Sequence, residues 1–165
     1  MTLFGIVGWK NSGKTTLMER LVTEITGRGL TVSTVKHAHH AFDVDQPGKD
    51  SYRHRSAGAS QVLLSSANRW ALMTELRGGP ELELDDLLAQ LQPVDLVLVE
   101  GFKRAGHPKV EAHRAATGQP LLAHDDPQIR AVASDHPIDL DRPVLDLDDV
   151  AGIADFILAD TGLAR

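Results

Sequence analysis

Leu3 to Val7 is a nearly continuous apolar run closed by a glycine, the pattern of a strand buried on both faces of a parallel sheet. Leu17, Leu21, Val22 and Ile25 then recur at helical spacing with Glu19, Arg20 and Glu24 on the wet side, and Gly27-Arg28-Gly29 offers a left-handed stop. Thr31 to Val35 is rich in β-branched residues and reads as a second strand. Strand, helix and strand make one βαβ unit, whose crossover is expected to be right-handed.

From Lys36 to Ser51 the apolar period disappears and Pro47-Gly48 interrupts the chain, so a long loop is expected. A short helix over Tyr52 to Ala57 follows, capped by Asp50 or Ser51 and closed by Gly58. Gln61 to Ser65 and Arg69 to Leu76, joined by Ser66-Ala67-Asn68, are spaced as a β-hairpin at the edge of the sheet. Its exposed strand edge is also the candidate contact with a second copy of the chain. Beyond Arg77-Gly78-Gly79-Pro80, the leucines at 84, 87, 88 and 91 mark a helix face ending before Pro93. Val94 to Val99, Lys109 to His113, Ile129 to Ala133 and Pro143 to Leu147 read as further strands. Asp148 is the expected cap of a closing helix over Val150 to Leu158.

Between the first strand and the first helix lies Gly8-Trp9-Lys10-Asn11-Ser12-Gly13-Lys14-Thr15, which fits the pattern G-x-x-x-x-G-K-[ST] in the strand-to-helix setting that pattern requires. Backbone N–H groups in such a loop point inward and, with the positive helix end, form a cradle for a polyphosphate. The candidate phosphate-binding positions are therefore Asn11, Ser12, Gly13, Lys14, Thr15 and Thr16. Lys14 would reach the β- and γ-phosphates, and Thr15 would offer its hydroxyl to Mg²⁺. This motif turns the element pattern into a fold expectation. It is an α/β P-loop NTPase fold, three layers around a mainly parallel sheet, with an antiparallel hairpin excursion and a single domain over residues 1–165.

Ligands of such sheets collect outside the carboxyl ends of the strands, which brings Lys14, His37, Glu100 and Asp135 into one neighbourhood. Asp95 to Gly101 resembles a Walker B element, an apolar strand ending in a carboxylate; Glu100 would bind Mg²⁺ or polarise the attacking water. The catalytic candidates are thus Lys14 and Glu100. His37, His39, His40, Asp43 and Asp45 form a cluster with several open readings. It could be a transition-metal site, a source of carboxylates such as Asp45 for the Mg²⁺ shell, a switch loop sensing the γ-phosphate, an anion-docking surface or a solvated loop. Lys36, Lys49, Arg53 and Arg55 are candidates for a local anion site, the alternative for Arg53 and Arg55 being ordinary exposed helix charges. No Asn-Lys-x-Asp guanine motif is present; Asp135 either accepts from N1 and N2 of guanine or caps a turn. Trp9 either stacks on a partner or packs beside the sheet, while Trp70 and Phe156 are expected in the core or an interface.

Composition narrows the partners. The chain has 165 residues, 42% of them apolar, and a net charge of −6, which disfavours nucleic acid as the main ligand. With no cysteine, a metal site is limited to His, Asp and Glu ligands. Neither a signal-peptide pattern nor an apolar run long enough for a membrane span is present, so a cytoplasmic protein without membrane contact is expected.

Several blocks together resemble the molybdopterin-guanine dinucleotide biosynthesis protein B (MobB) family. They are the phosphate loop, His37-Ala38-His39-His40, Asp43 through Ser51, Arg69 through Glu75, Leu98-Val99-Glu100-Gly101-Phe102-Lys103 and Ala131 through Asp135. The blocks run through most of the chain, and D-x-D-x-P-G-K-D-S and V-E-G-F-K are more specific than the loop. The resemblance implies a homodimeric protein that binds GTP with Mg²⁺ and hydrolyses it weakly. It further implies help in attaching GMP to molybdopterin, alongside a molybdopterin guanylyltransferase, and leaves direct binding of molybdopterin open. A nucleotide-dependent metallochaperone using the histidine cluster, and a small-molecule kinase using Arg77 or Arg114, are the alternatives.

Overall fold

Six parallel strands form the sheet that carries the phosphate loop, in the order β2-β5-β1-β6-β7-β8. They are β1 (Thr2–Val7), β2 (Val32–Lys36), β5 (Leu96–Glu100), β6 (Lys109–His113), β7 (Ile129–Ser134) and β8 (Val144–Asp146). Strands β3 (Gln61–Ser65) and β4 (Trp70–Thr74) pair with each other in a separate antiparallel sheet. The computed structural model describes residues 1–38 and 42–164. They group into two compact units, Met1–His37 with Gln90–Arg165, and Ala38–Ala89.

In the larger unit, β1 and β5 are largely buried apolar runs, as interior strands of a parallel sheet must be, and β6 is buried along its length although it alternates polar and apolar residues. Helix α1 (Lys14–Gly27) turns Leu17, Met18, Leu21 and Ile25 inward. Helix α4 (Val150–Asp160) adds Ile153, Ala154, Ile157 and Leu158 to the same cluster, which includes Phe4, Ile6, Leu96 and Leu98 from the sheet. A smaller cluster of Val7, Ala123, Ile129 and Val132 includes the 3-10 turn Leu122–His124. Three charged or polar side chains of β6, Lys109, Glu111 and His113, are also buried. Glu111 accepts from the N–H groups of Leu122 and Ala123 at 3.0 and 2.9 Å, and Lys109 donates to Asp126 at 3.0 Å. Each buried charge therefore has the partner that burial demands.

Chain order positions the site. From β1 the chain crosses by α1 to β2, beyond β5, while β6, β7 and β8 extend the sheet the other way. That divergence at β1 is the switch point where α/β sheets open a crevice at their carboxyl ends.

Several local expectations are corrected. The hairpin does not extend the main sheet: β3 and β4 satisfy each other's hydrogen bonds, with Leu63 opposite Leu72 and Ser65 opposite Trp70. Trp70 is 62% exposed, which excludes the core and leaves the interface of the two places expected for it. Helix α2 (Asp50–Ser56) is preceded by Lys49 as N-cap, so Asp50 sits in the first turn, where it favours the helix dipole instead of capping. Helix α3 (Leu84–Leu88) stops short of Leu91, shortly before Pro93, whose ring disfavours helical backbone at the residue before it. Asp149, not Asp148, caps α4 by accepting from Gly152 N–H at 2.9 Å. Asp148 is drawn away because its own N–H donates to Asp146 and its carboxylate and carbonyl take Arg20.

Candidate functional site

The loop after β1 is built from backbone that few residue types tolerate. Gly8 has φ +147, and a Cβ there would strike the Ala112 carbonyl and the Ser12 hydroxyl. Gly13, the N-cap of α1, has φ +90 and would bring a Cβ to 3.1 Å from Arg114 Nε. Asn11 adopts the left-handed region at φ 65, which asparagine enters more readily than most residues. No side chain caps α1. Ser12 is 1% exposed and its hydroxyl has no hydrogen-bond partner. A buried hydroxyl left unsatisfied beside a helix N-terminus with no side-chain cap fits a site for an anion such as a phosphate.

Lysines converge on this cradle. Lys14 Nζ donates to the Trp9 carbonyl at 2.6 Å, folding the side chain back over the loop. Burial, then the nearby positive charge of Lys103, lowers the Lys14 pKa, with Glu100 opposing and Lys36 adding to the effect. Lys103 Nζ lies 4.3 Å from the Trp9 ring centroid, and Trp9 Nε1 donates to the Pro120 carbonyl at 2.7 Å. Trp9 is thus a brace for the loop and a cation-π partner, which combines packing with charge. A lysine two residues past a strand-ending glycine carries no signal in periodicity, so the placement of Lys103 was legible only through its block.

Strand register brings the candidate Mg²⁺ ligand Glu100 level with its neighbours. Ile6 of β1 and Lys36 of β2 both align with Glu100 of β5. Thr15 Oγ1 donates to Glu100 Oε1 at 3.1 Å, and Lys36 Nζ stands 3.2 Å from that oxygen and 3.5 Å from Thr15 Oγ1. Glu100 is 9% exposed. A hydroxyl and a carboxylate are hard oxygen donors of the type Mg²⁺ takes, and the lysine beside both shows that the position favours positive charge. The donor set therefore fits Mg²⁺ with a polyphosphate. The turn after β5 carries strain, since Phe102 has φ 48 although it is bulky and not glycine. Its ring meets that of His37 at 4.7 Å between centroids.

Asp135, just beyond β7, is committed to its own neighbourhood. Its Oδ1 accepts from Ala115 N–H at 3.0 Å and lies 3.0 Å from His136 Nδ1, while Oδ2 faces Arg114 at 3.7 Å. The Ala115 hydrogen bond first, then His136, holds this carboxyl below the usual carboxylate range. Asp135 thereby anchors the turn that lays Arg114 beside Gly13. A two-oxygen grip on guanine would have to displace these donors.

Asp45 belongs to the smaller unit, where its side chain is 5% exposed and both oxygens accept from Arg55, at 2.6 and 3.3 Å. Glu75 and Asp43 each take the same guanidinium at 2.9 Å. Arg55 therefore holds Asp45 below the ordinary carboxylate range, and the carboxylates raise the Arg55 pKa in return. This corrects the reading of Arg55 as an anion-binding cation: three carboxylates already neutralise it. His39 and His40 of the histidine cluster lie outside the described residues. Among the described residues no group of three or more His, Asp or Glu is placed to hold a metal ion.

The family model of molybdopterin guanine dinucleotide synthesis protein B, MobB, matches residues 3–135. A Haemophilus influenzae protein named molybdopterin-guanine dinucleotide biosynthesis adapter protein is 46% identical over 157 residues, covering 94% of this chain and 86% of that protein. An Escherichia coli protein of the same name is 43% identical over 159 residues, covering 94% and 91%. The crystal structure of a MobB homologue from Bacillus stearothermophilus superposes with a TM-score of 0.71 at 31% identity, covering 99% of this chain and all 100% of the other.

Proposed function

The chain belongs to the MobB family, and on that premise we propose that it is a GTP-binding adapter of molybdopterin guanine dinucleotide biosynthesis. It assists a molybdopterin guanylyltransferase in attaching GMP to molybdopterin, hydrolyses GTP weakly, and works in the cytoplasm as a homodimer. One observation carries the nucleotide part of this reading. An uncapped helix start, the unpartnered buried hydroxyl of Ser12 and the Thr15–Glu100 pair at 3.1 Å surround one loop.

In this account the N–H groups from Asn11 to Thr16 and the Lys14 ammonium bind the phosphates, and Arg114 supplies a further cation from beside Gly13. Thr15 and Glu100 would hold Mg²⁺, which neutralises phosphate charge when bound. Glu100 also orients a water for the γ-phosphate. Weak turnover is expected of the chain alone, with a partner supplying further charge stabilisation. Support for the homodimer comes from the hairpin, where Leu63, Trp70 and Leu72 share one face and are 62%, 62% and 43% exposed. An apolar face of this kind marks a contact surface.

The adapter role is tested by reconstitution. Purified guanylyltransferase, molybdopterin, Mg²⁺ and GTP are combined with and without this chain, and the dinucleotide product is quantified. The chain is expected to raise the initial rate, and Lys14→Ala is expected to remove the increase. An unchanged rate with the intact chain would overturn the assisting role.

A further inference from the structure

Lys36 ends β2, and its ammonium lies against the two oxygen atoms assigned to the metal: 3.2 Å from Glu100 Oε1 and 3.5 Å from Thr15 Oγ1. Those two oxygens are themselves hydrogen-bonded at 3.1 Å, so three groups meet at one point. The arrangement is set by the backbone, because parallel pairing of β2 with β5 puts Lys36 level with Glu100. The Lys36 side chain is 57% exposed while that of Glu100 is 11% exposed. One member of the pair is therefore fixed in the sheet and the other is free to swing on a flexible four-carbon stem.

We propose that Lys36 is a tethered counter-cation of the metal position. In the metal-free protein its ammonium bridges Thr15 Oγ1 and Glu100 Oε1, and a divalent cation enters by displacing it. The inference rests on the reading of Thr15 and Glu100 as the metal pair. Physically, a carboxylate this shielded from water and left without a cation is costly, so a resident ammonium offsets its charge and keeps it aimed. The same ammonium competes with an incoming divalent ion for those oxygens. Once displaced, it remains at the mouth of the cradle, where a phosphate is its natural partner. An ordinary exposed ion pair would contribute little and would compete with nothing.

The two accounts differ in sign. Mn²⁺ binding to the full-length, nucleotide-free protein is followed by the loss of its free-ion electron paramagnetic resonance signal, for wild type, Lys36→Met, Lys36→Arg and Glu100→Gln. Lys36→Met keeps the length of the chain and removes the charge, and it is expected to bind Mn²⁺ at least about threefold more tightly. Lys36→Arg should return the affinity to the wild-type value, and Glu100→Gln should lose the site. In parallel, GTP binding in excess EDTA should weaken in Lys36→Met, because the displaced or resident ammonium no longer meets the phosphates. Equal Mn²⁺ affinity in wild type and Lys36→Met, or Mn²⁺ binding indifferent to Glu100→Gln, overturns the proposal. If wild type binds Mn²⁺ as expected but no GTP, the nucleotide reading fails while the lysine inference stands on the metal data.

Discussion

At the scale of single residues, Asp135 acts through the neighbours it holds. Its carboxylate fixes Ala115 N–H and faces Arg114, whose guanidinium lies against the turn before Lys14. Asp135→Ala should therefore weaken GTP and ATP binding by similar factors, each measured by calorimetry, because the loss is transmitted through Arg114. A selective loss of GTP would assign the base-reading role to Asp135 instead. His107 makes a different kind of statement. It is 8% exposed, neither ring nitrogen has a hydrogen-bond partner, and its ring lies against the backbone of Gly5. Burial first, then the charge of Lys109, pushes its pKa down to about 4. The unfolded chain takes up that proton near pH 6.5, so the stabilising contribution is complete above 6.5 and is lost as pH falls toward 4. Urea unfolding of wild type should lose on the order of 2 kcal/mol from this group between pH 6.5 and 4.5, and His107→Leu should lack that part of the slope.

At the scale of elements, the hairpin and the helix ends carry the lessons. The spacing of two strand-like runs marked β3 and β4 as a hairpin, and the structure closes it with Ser66 N–H donating to the Arg69 carbonyl at 2.9 Å. Alternation separates Val62, 7% exposed, from Leu63, 62% exposed. Which sheet the hairpin joins is a long-range matter that local pattern does not encode. Replacing Leu63 and Trp70 together by Ser and Gln should lower the dimer fraction in sedimentation equilibrium while leaving the circular dichroism spectrum unchanged. A dimer of wild-type affinity in that variant would place the contact elsewhere. Helix α1 was legible from apolar spacing and from the motif that precedes it. The cap of α4 was not, because the closely spaced aspartates Asp146, Asp148 and Asp149 compete for the role and Arg20 from α1 decides it.

At the scale of the whole molecule, parallel pairing was expected from the buried apolar strands, whereas the order β2-β5-β1-β6-β7-β8 depends on long-range pairing that no single run encodes. The phosphate loop and Glu100 were legible, since a strand end followed by a glycine or a carboxylate is a local signal. Lys36, Lys103 and Arg114 were harder to place: each reaches the loop through strand register or a turn, and register is a property of paired strands. Asp45 illustrates the converse, a carboxylate whose sequence neighbours suggest metal chemistry but whose two oxygens are taken by Arg55. A chain of net charge −6 that gathers three lysines around one loop invests its positive charge locally, as a polyphosphate site requires. The central claim is that this loop binds GTP, and calorimetric titration of the intact protein with GTP in Mg²⁺, beside Lys14→Ala, tests it most directly. Saturable one-per-chain binding that Lys14→Ala weakens at least about a hundredfold, with its circular dichroism intact, is the predicted result; equal binding by both proteins, or none by wild type, would contradict it.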